Sequence, residues 1–354
     1  MIILITLFIS IFTSMVSAQT WRYGSLHQHT GYSTHAGYDG SLLATGDNCV
    51  PFDLEGHTYG YDVAELKEDA EDLDLDWLAF SDHSYCLTSS EFNTVKTDCQ
   101  NAQDSSFSCL WGEELSVNED VSDIEIMCSD PLYGGPATGS AHIGAYGISS
   151  FISQNPTDVY CPNTPGAQSG VNSINNAGGI SVINHPVAYL LDFIEFIDFE
   201  GIDQISGETG IEIWNGEWGG MSDDNAAYYE WLNEMLQEGE KVYALGGTDS
   251  HEEPTIVNYN LVGVDSLTHS DLEEGLNLGR SSVSNNGYVR IKAKTNTQPD
   301  WTEMGGELDA NTNEVLTLRV RHNVENTCTL KVRRSEIGSY IEFYNEFNIP
   351  PGLD

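Results

Sequence analysis

Basic side chains are the scarcest feature of this sequence: 13 Lys and Arg stand against 55 Asp and Glu, for a formal net charge of −42. A surface of that sign repels phosphate backbones and excludes nucleic acid as a partner. The acids are scattered rather than blocked, as on a solvated surface in a salty or extracellular setting. Between Tyr23 and Gly279 the only cations are Lys67, Lys96 and Lys241, whereas nine lie from Arg280 onward. That asymmetry predicts two modules.

Long apolar runs are absent beyond the start of the chain. Ile2 to Phe12 is apolar, and small and polar residues follow, ending in Val16-Ser17-Ala18. The pattern predicts a secretory leader over residues 1–18 and a secreted or extracytoplasmic protein. The usual positive n-region is missing, so an uncleaved anchor is the alternative, but the run is short against the ~20 apolar residues of a membrane span. No stable membrane insertion is expected once the leader is cleaved.

Several signatures are also missing. There is no G-x-S-x-G, no H-E-x-x-H, no P-loop and no G-x-G-x-x-G, which removes the commonest serine-hydrolase, zincin and nucleotide-binding readings. DLDLDW at 72–77 lacks the glycine and later glutamate of a calcium loop and reads as a helix end running into a strand. The seven cysteines form no C-x-x-C zinc pattern, and in an exported chain they predict disulfides. Six fall between residues 49 and 161 and read as loop staples; the odd count leaves one unpaired.

What the chain does contain is an alternation of short apolar strands and helical stretches. Strands are expected at Trp21–His27, Trp77–Ser81, Cys109–Val117, His142–Ile148, Ile180–Asn184, Ile211–Trp214 and Val242–Leu245. Helices are expected at Val63–Leu73, Val171–Ala177 and Ala226–Gln237, the last with capping candidates Ser222 and Asp223. Strand, crossover helix and strand in repetition predict an α/β fold with a largely parallel sheet, most economically a barrel over residues 19–285. From 286 to 354 the texture becomes alternating. Tyr288–Lys294, Val315–Arg321, Thr329–Arg333 and Tyr340–Tyr344 read as a small antiparallel β module.

Histidine is rare but placed with order. Of ten, His27, His29 and His35 lie in GSLHQHTGYSTH, His83 closes LAFSDH, His142 lies in SAHIGAYG, His185 in INHP, and His251 follows Asp249 in GGTDSH. Most sit at the C-terminal ends of expected strands, and in a parallel barrel those ends converge on one face. Residues i and i+2 of an extended segment point the same way, pairing His27 with His29 and Asp249 with His251. With Glu114 the set has too many ligands for one zinc and suits two or three divalent ions (Zn, Mn or Fe), with a carboxylate bridging a pair. Such a centre makes a metal-bound hydroxide at neutral pH and polarises the attacked oxygen. A lone histidine is more often a core or surface residue; only the set taken jointly supports a metal centre.

The ordered motifs LHQHTGYSTH, FSDH, GEE, AHIGAYG, INHP and GGTDSH resemble those of the polymerase and histidinol phosphatase (PHP) superfamily of metal-dependent hydrolases, over about Tyr23 to Val283. RYGSLHQHTGYS, LDWLAFSDH and GLNLGRSSVS are most similar to its exported carbaryl-hydrolase-like branch. The resemblance implies a distorted seven-stranded barrel of PHP type and three metal subsites. His27, His29, Glu114 and Asp249 would hold one ion, Glu114, His142 and His185 the second, and His35, His83 and His251 the third. The family pattern G-x-E selects Glu114, leaving Glu113 beside the ligands or facing solvent. The family's Asp-Gly is displaced to Asp39-Gly40, and the insertion Ser41–Gly60 reads as a lid. Asp82 either orients a metal-bound imidazole or shuttles a proton, or else caps a loop.

The expected function is hydrolysis of a small-molecule substrate, with Asp249 and Asp82 as candidate catalytic groups. Phosphate monoesters usually recruit Arg or Lys, and only Arg22 and Arg280 lie near motif segments. Phosphoesters and carboxylic or carbamic esters or amides therefore stand as equals. A noncatalytic secreted protein whose metals hold the fold is the alternative.

Overall fold

The computed structural model describes residues 19–33, 61–84, 87–117, 141–153, 166–190, 194–198, 205–215, 227, 241–250, 258–284, 287–308, 314–322, 328–332 and 345–349. The leader, His35, the Ser41–Gly60 insertion, Cys86, His251 and, apart from Ala227, the helix expected over Ala226–Gln237 with its capping candidates lie outside them.

The strands run, in chain order, β1 (Thr20–Gln28), β2 (Trp77–Phe80), β3 (Ser108–Leu110), β4 (Gly112–Val117), β5 (Ala141–Tyr146), β6 (Ile180–Asn184), a hairpin of β7 (Val187–Leu190) and β8 (Ile194–Asp198), then β9 (Gly210–Asn215), β10 (Tyr243–Ser250), β11 (Tyr259–Val264) and β12 (Ser281–Ser284). All but the hairpin join one ten-stranded sheet. Within it β2, β1, β10, β9, β6, β5 and β4 follow one another around a ring. The ring closes just past β2, where His83 bridges Glu114: Glu114 N donates to Asp82 O and Ser84 N to Glu114 O, both at 2.9 Å. The fold is thus α/β with a nearly closed barrel. β11 and β12 extend the sheet antiparallel from the first half of β1.

One strand departs from the parallel expectation. β5 runs antiparallel to both β4 and β6. His142 lies near its N-terminal end, and the reversal brings it to the end where the other strands finish. The sequence pattern carries no direction, because alternation of apolar residues reads the same in both.

Apolar residues fill two zones. Leu26, Ala79, Leu110, Tyr146, Val182 and Leu245 are buried together, a layer of side chains of the kind that fills barrels. Leu66, Phe92, Val95, Leu115, Ile143 and Val171 form a second cluster, joining strands to α1 (Val63–Asp72), α2 (Ser89–Ala102) and α3 (Ala167–Asn176). α1 starts at a capping box in which Asp62 accepts from Ala64 N and Glu65 N and Glu65 accepts from Asp62 N. Thr88 and Glu91 do the same for α2, a helix absent from the sequence expectations although its buried positions, Phe92, Val95 and Cys99, follow the i, i+3, i+7 spacing of one helical face. The disulfide Cys99–Cys109 ties α2 to β3, so this pair links two packed elements rather than stapling a loop. α4 (His269–Asn277) lies against β11 and β3.

Beyond β12 two small separate sheets follow: β13 (Val289–Thr295) pairs antiparallel with β14 (Thr302–Glu303) and β15 (Leu316–His322), while β16 (Cys328–Val332) pairs with β17 (Asn345–Ile349). Trp301 is flanked by Lys294 and Arg319 at 4.7 and 4.4 Å, a cation–π arrangement. The strand expected at Tyr340–Tyr344 lies outside the described residues. Among the described residues no helix is long and apolar enough to cross a membrane.

Candidate metal centre

At the end of the ring where β1, β2, β6 and β10 finish, His27, His29, His83, Glu114, His142, His185 and Asp249 come together, all buried. Glu114 is the hub. Its Oε1 lies 3.0 Å from His27 Nε2, 3.1 Å from His142 Nδ1, 3.3 Å from His185 Nε2 and 2.9 Å from Asn184 Nδ2. Its Oε2 lies 2.6 Å from His83 Nδ1 and 3.8 Å from His29 Nε2. Asp249 Oδ1 sits 3.2 Å from His27 Nε2 and 3.0 Å from His29 Nε2, and its Oδ2 lies 3.9 Å from His185 Nε2.

This donor set fits cations better than it fits itself. A carboxylate oxygen has about two lone-pair sites, yet four nitrogens converge on Glu114 Oε1. His142 Nδ1 and His185 Nε2 also face each other at 3.4 Å. Nitrogens that do not donate there present lone pairs, and convergent lone pairs buried beside carboxylates are what a divalent ion satisfies. Three overlapping groups place one ligand atom per residue within 4.8 Å of each other: His27–His29–Glu114, His27–His185–Asp249 and Glu114–His142–His185.

Electrostatics agree. Burial is the largest influence on each group and opposes charge. On Glu114 the charges of His142, His27 and His83 outweigh it and hold the carboxyl well below its usual range. Asp249 is held low by His27 and His29. Against burial, Asp249, Glu114 and Glu212 keep His27 well above its ordinary value, while burial pulls His29 down to about 3. Without cations the imidazoles must themselves balance the carboxylates.

The backbone carries the convergence. His27, His185 and Asp249 have positive φ of 62°, 24° and 53°, a region that costs a non-glycine residue energy and clusters at functional sites. The pairing of β1 slips between Leu26 and Gln28 against β10 and between Ser25 and Gln28 against β2. His27 and His29 therefore meet through a bulge rather than by plain i, i+2 alternation, their ring centroids 5.2 Å apart.

Asp82 is fully buried and accepts from Thr30 N (2.7 Å) and Thr30 Oγ1 (2.8 Å), pinning the chain just past His29. Glu113 is buried, not solvent-facing. Neighbouring residues of a strand face opposite sides, and Glu113 accepts from Ile152 N at 2.7 Å, with burial pushing its carboxyl well above the usual range. Two inward residues went unnoticed in the sequence, Asn184 and Glu212. The available signal for Glu212 was a lone acid inside the apolar strand IEIW.

No family model matches the chain, and no curated protein matches it. Among solved structures it is similar to a two-domain Bacteroides vulgatus protein containing a predicted PHP-like metal-dependent phosphoesterase, at 12% identity, 94% of this chain and 96% of that one, TM-score 0.44. A Bifidobacterium adolescentis protein inferred to be a metal-dependent phosphoesterase aligns at 14% identity over 66% of this chain and 88% of its own, TM-score 0.40. An amidohydrolase from Chromobacterium violaceum aligns at 16% over 65% and 87%, TM-score 0.36. The chemistry of the site is read from its own side chains.

Proposed function

We propose that this chain is an exported, metal-dependent hydrolase of PHP type that cleaves a phosphoester or a carboxylic or carbamic ester or amide in a small molecule. The observation that carries the reading is the convergence of His27, His142 and His185 on Glu114 Oε1 at 3.0–3.3 Å. Two or three divalent ions held there would supply Lewis acidity and activated water at neutral pH. Glu114 is placed to be shared between ions. His27, His29 and Asp249 enclose one side, and His142 and His185 the other. Asp249 Oδ1, between two imidazoles, is the candidate to take up a proton. Asp82, through Thr30, holds the chain after β1 in place.

Substrate charge follows from where the cations are. Lys67 pairs with Glu71 and Asp104, Lys96 donates to Ser149 O, Lys241 pairs with Glu307, and Arg22 pairs with Asp76 at the start of β1. None is turned to the ligands, and residues 23–279 contain no other Lys or Arg. A dianionic phosphate would find no Lys or Arg of residues 22–279 beside it, and Arg280 is paired with Glu274, which favours a phosphodiester or an uncharged ester or amide. Export is supported by the leader-like residues 1–18 and by the Cys99–Cys109 disulfide.

The test is metal content followed by a substrate panel. Elemental analysis should find two to three Zn, Mn or Fe per chain; none after purification without chelators rejects the centre. With metal present, bis-p-nitrophenyl phosphate or naphthyl esters and carbamates should turn over faster than p-nitrophenyl phosphate. The reverse order rejects the charge argument, and an Asp249→Ala protein with full turnover rejects the site.

A further inference from the structure

Glu212 is buried in β9 with no Lys or Arg paired to it among the described residues, and its carboxylate is nonetheless fully engaged. His27 Nδ1 lies 3.2 Å from Oε1 and 3.3 Å from Oε2. His185 backbone N donates to Oε2 at 2.8 Å, and Asn215 Nδ2 donates to the same atom at 3.0 Å. We propose that Glu212 is a positioning residue that orients ligands of two neighbouring ion subsites at once and so makes their occupancy interdependent. The proposal rests on the metal-centre reading above.

A carboxylate of this kind only accepts, so a neutral His27 keeps its proton on Nδ1 and turns the lone pair of Nε2 to the site. Nε2 is the nitrogen turned toward Glu114 and Asp249. A carboxylate behind a ligating histidine fixes its tautomer and ring angle. The second hold is on the main chain. His185 stands at φ 24°, just past β6, and Glu212 captures its N–H there. One carboxylate thus spans the group His27–His29–Glu114 and the group Glu114–His142–His185.

The barrel is shaped to admit it. A Cβ on Gly247, in the strand β10 that lies between β9 and β1, would lie 1.6 Å from Glu212 Oε1 and 2.7 Å from His27 Cβ. The glycine leaves the space the carboxylate and imidazole share.

The experiment titrates Zn(II) into the full-length chain and its E212Q variant under chelator competition, with circular dichroism for the fold and nitrogen-15 NMR for the histidine tautomers. Gln keeps the shape but has one accepting oxygen where three donors converge. The expected result is a folded E212Q chain whose affinity falls roughly 10–100-fold at both binding steps, with the Nδ1–H form of His27 less populated. E113Q, altering the buried carboxylate on the other face of β4, should bind Zn(II) like the parent. A folded E212Q chain with parental affinity, or one weakened at a single step, overturns the proposal. Should E212Q not fold, N215A removes one donor to Oε2 and is expected to weaken binding roughly two- to tenfold; parental binding by N215A overturns the proposal equally. A parent chain that binds no Zn(II), Mn(II) or Fe(II) rejects the metal centre itself, a different result from a parent that binds and a variant that binds alike.

Discussion

The two ends of the barrel are built from the same strands on opposite terms. At its start, β1 pairs residue by residue with β11 from Thr20↔Val264 to Gly24↔Asn260, and Arg22 meets Asp76 at 2.8 Å in a half-exposed pair. At its finish, the register slips, His27 takes positive φ, and imidazoles face carboxylates with no Lys or Arg among them. The far end also holds ordinary aromatic packing: Trp111 stacks on His269 at 3.6 Å and donates to Ile148 O. Regular pairing and apolar burial at one end hold in place a strained, acid-rich arrangement at the other.

The contrast can be broken most severely at its hub. Glu114→Ala should abolish metal retention and lower turnover by about 10³-fold or more, since Lewis-acid stabilisation is worth several kcal/mol. Elemental analysis alongside rates checks this, and a metal-loaded, active variant would contradict the shared-ligand role. Next in size is Gly247→Ala, which overfills the space between Glu212 and His27 and should cost about 1–3 kcal/mol of stability. Denaturant midpoints with and without added Zn(II) should show that the variant gains less from metal than the parent does.

The far end sharpens the comparison through pH. Burial, aided by the charge of Lys96 and opposed by a hydrogen bond to Cys109 O, holds the His269 pKa below its ordinary value. The unfolded chain therefore binds that proton first, and the stability gained from a neutral His269 is complete above about pH 6.5 and lost as pH falls. His269→Phe should flatten the decline of stability between about pH 7 and 5 relative to the parent, leaving metal content unchanged. Denaturation at several pH values decides it, and a parallel decline in both proteins would remove His269 as a contributor. Smallest of all, Arg22→Ala should cost about 0–1 kcal/mol with unaltered turnover, because its ion pair is half-exposed and remote from the ligands. A large loss of activity there would mean that the two ends are not independent.

Much of this was legible before any coordinates. The strands expected at Trp21–His27, Trp77–Ser81 and Ile180–Asn184 coincide with β1, β2 and β6 within a residue, because buried barrel strands are short apolar runs with sharp polar borders. The helix expected over Val63–Leu73 appears with its capping box. α2 was missed because only three apolar residues mark its face, β11 because its buried run Tyr259–Val264 does not alternate, and the reversal of β5 within the largely parallel sheet was not foreseen. Among the candidate ligands, the histidines were visible because the residue is rare and sits at strand ends. Glu212 was hidden among 55 acids, since only its neighbours distinguish a buried carboxylate from a solvated one.

What the sequence determined by itself is the inventory: which imidazoles and carboxylates are available, the spacing that puts them at strand ends, and the near absence of cations from residues 23–279. Those are properties of order and type, and they survive without a fold. Tertiary structure alone decided that β5 is reversed so that His142 joins the cluster, that His27 and Asp249 enter by positive φ rather than simple alternation, and that Glu212 contacts both His27 and His185. Strand direction and register depend on contacts between segments far apart in the chain, and a local pattern of period two is blind to both.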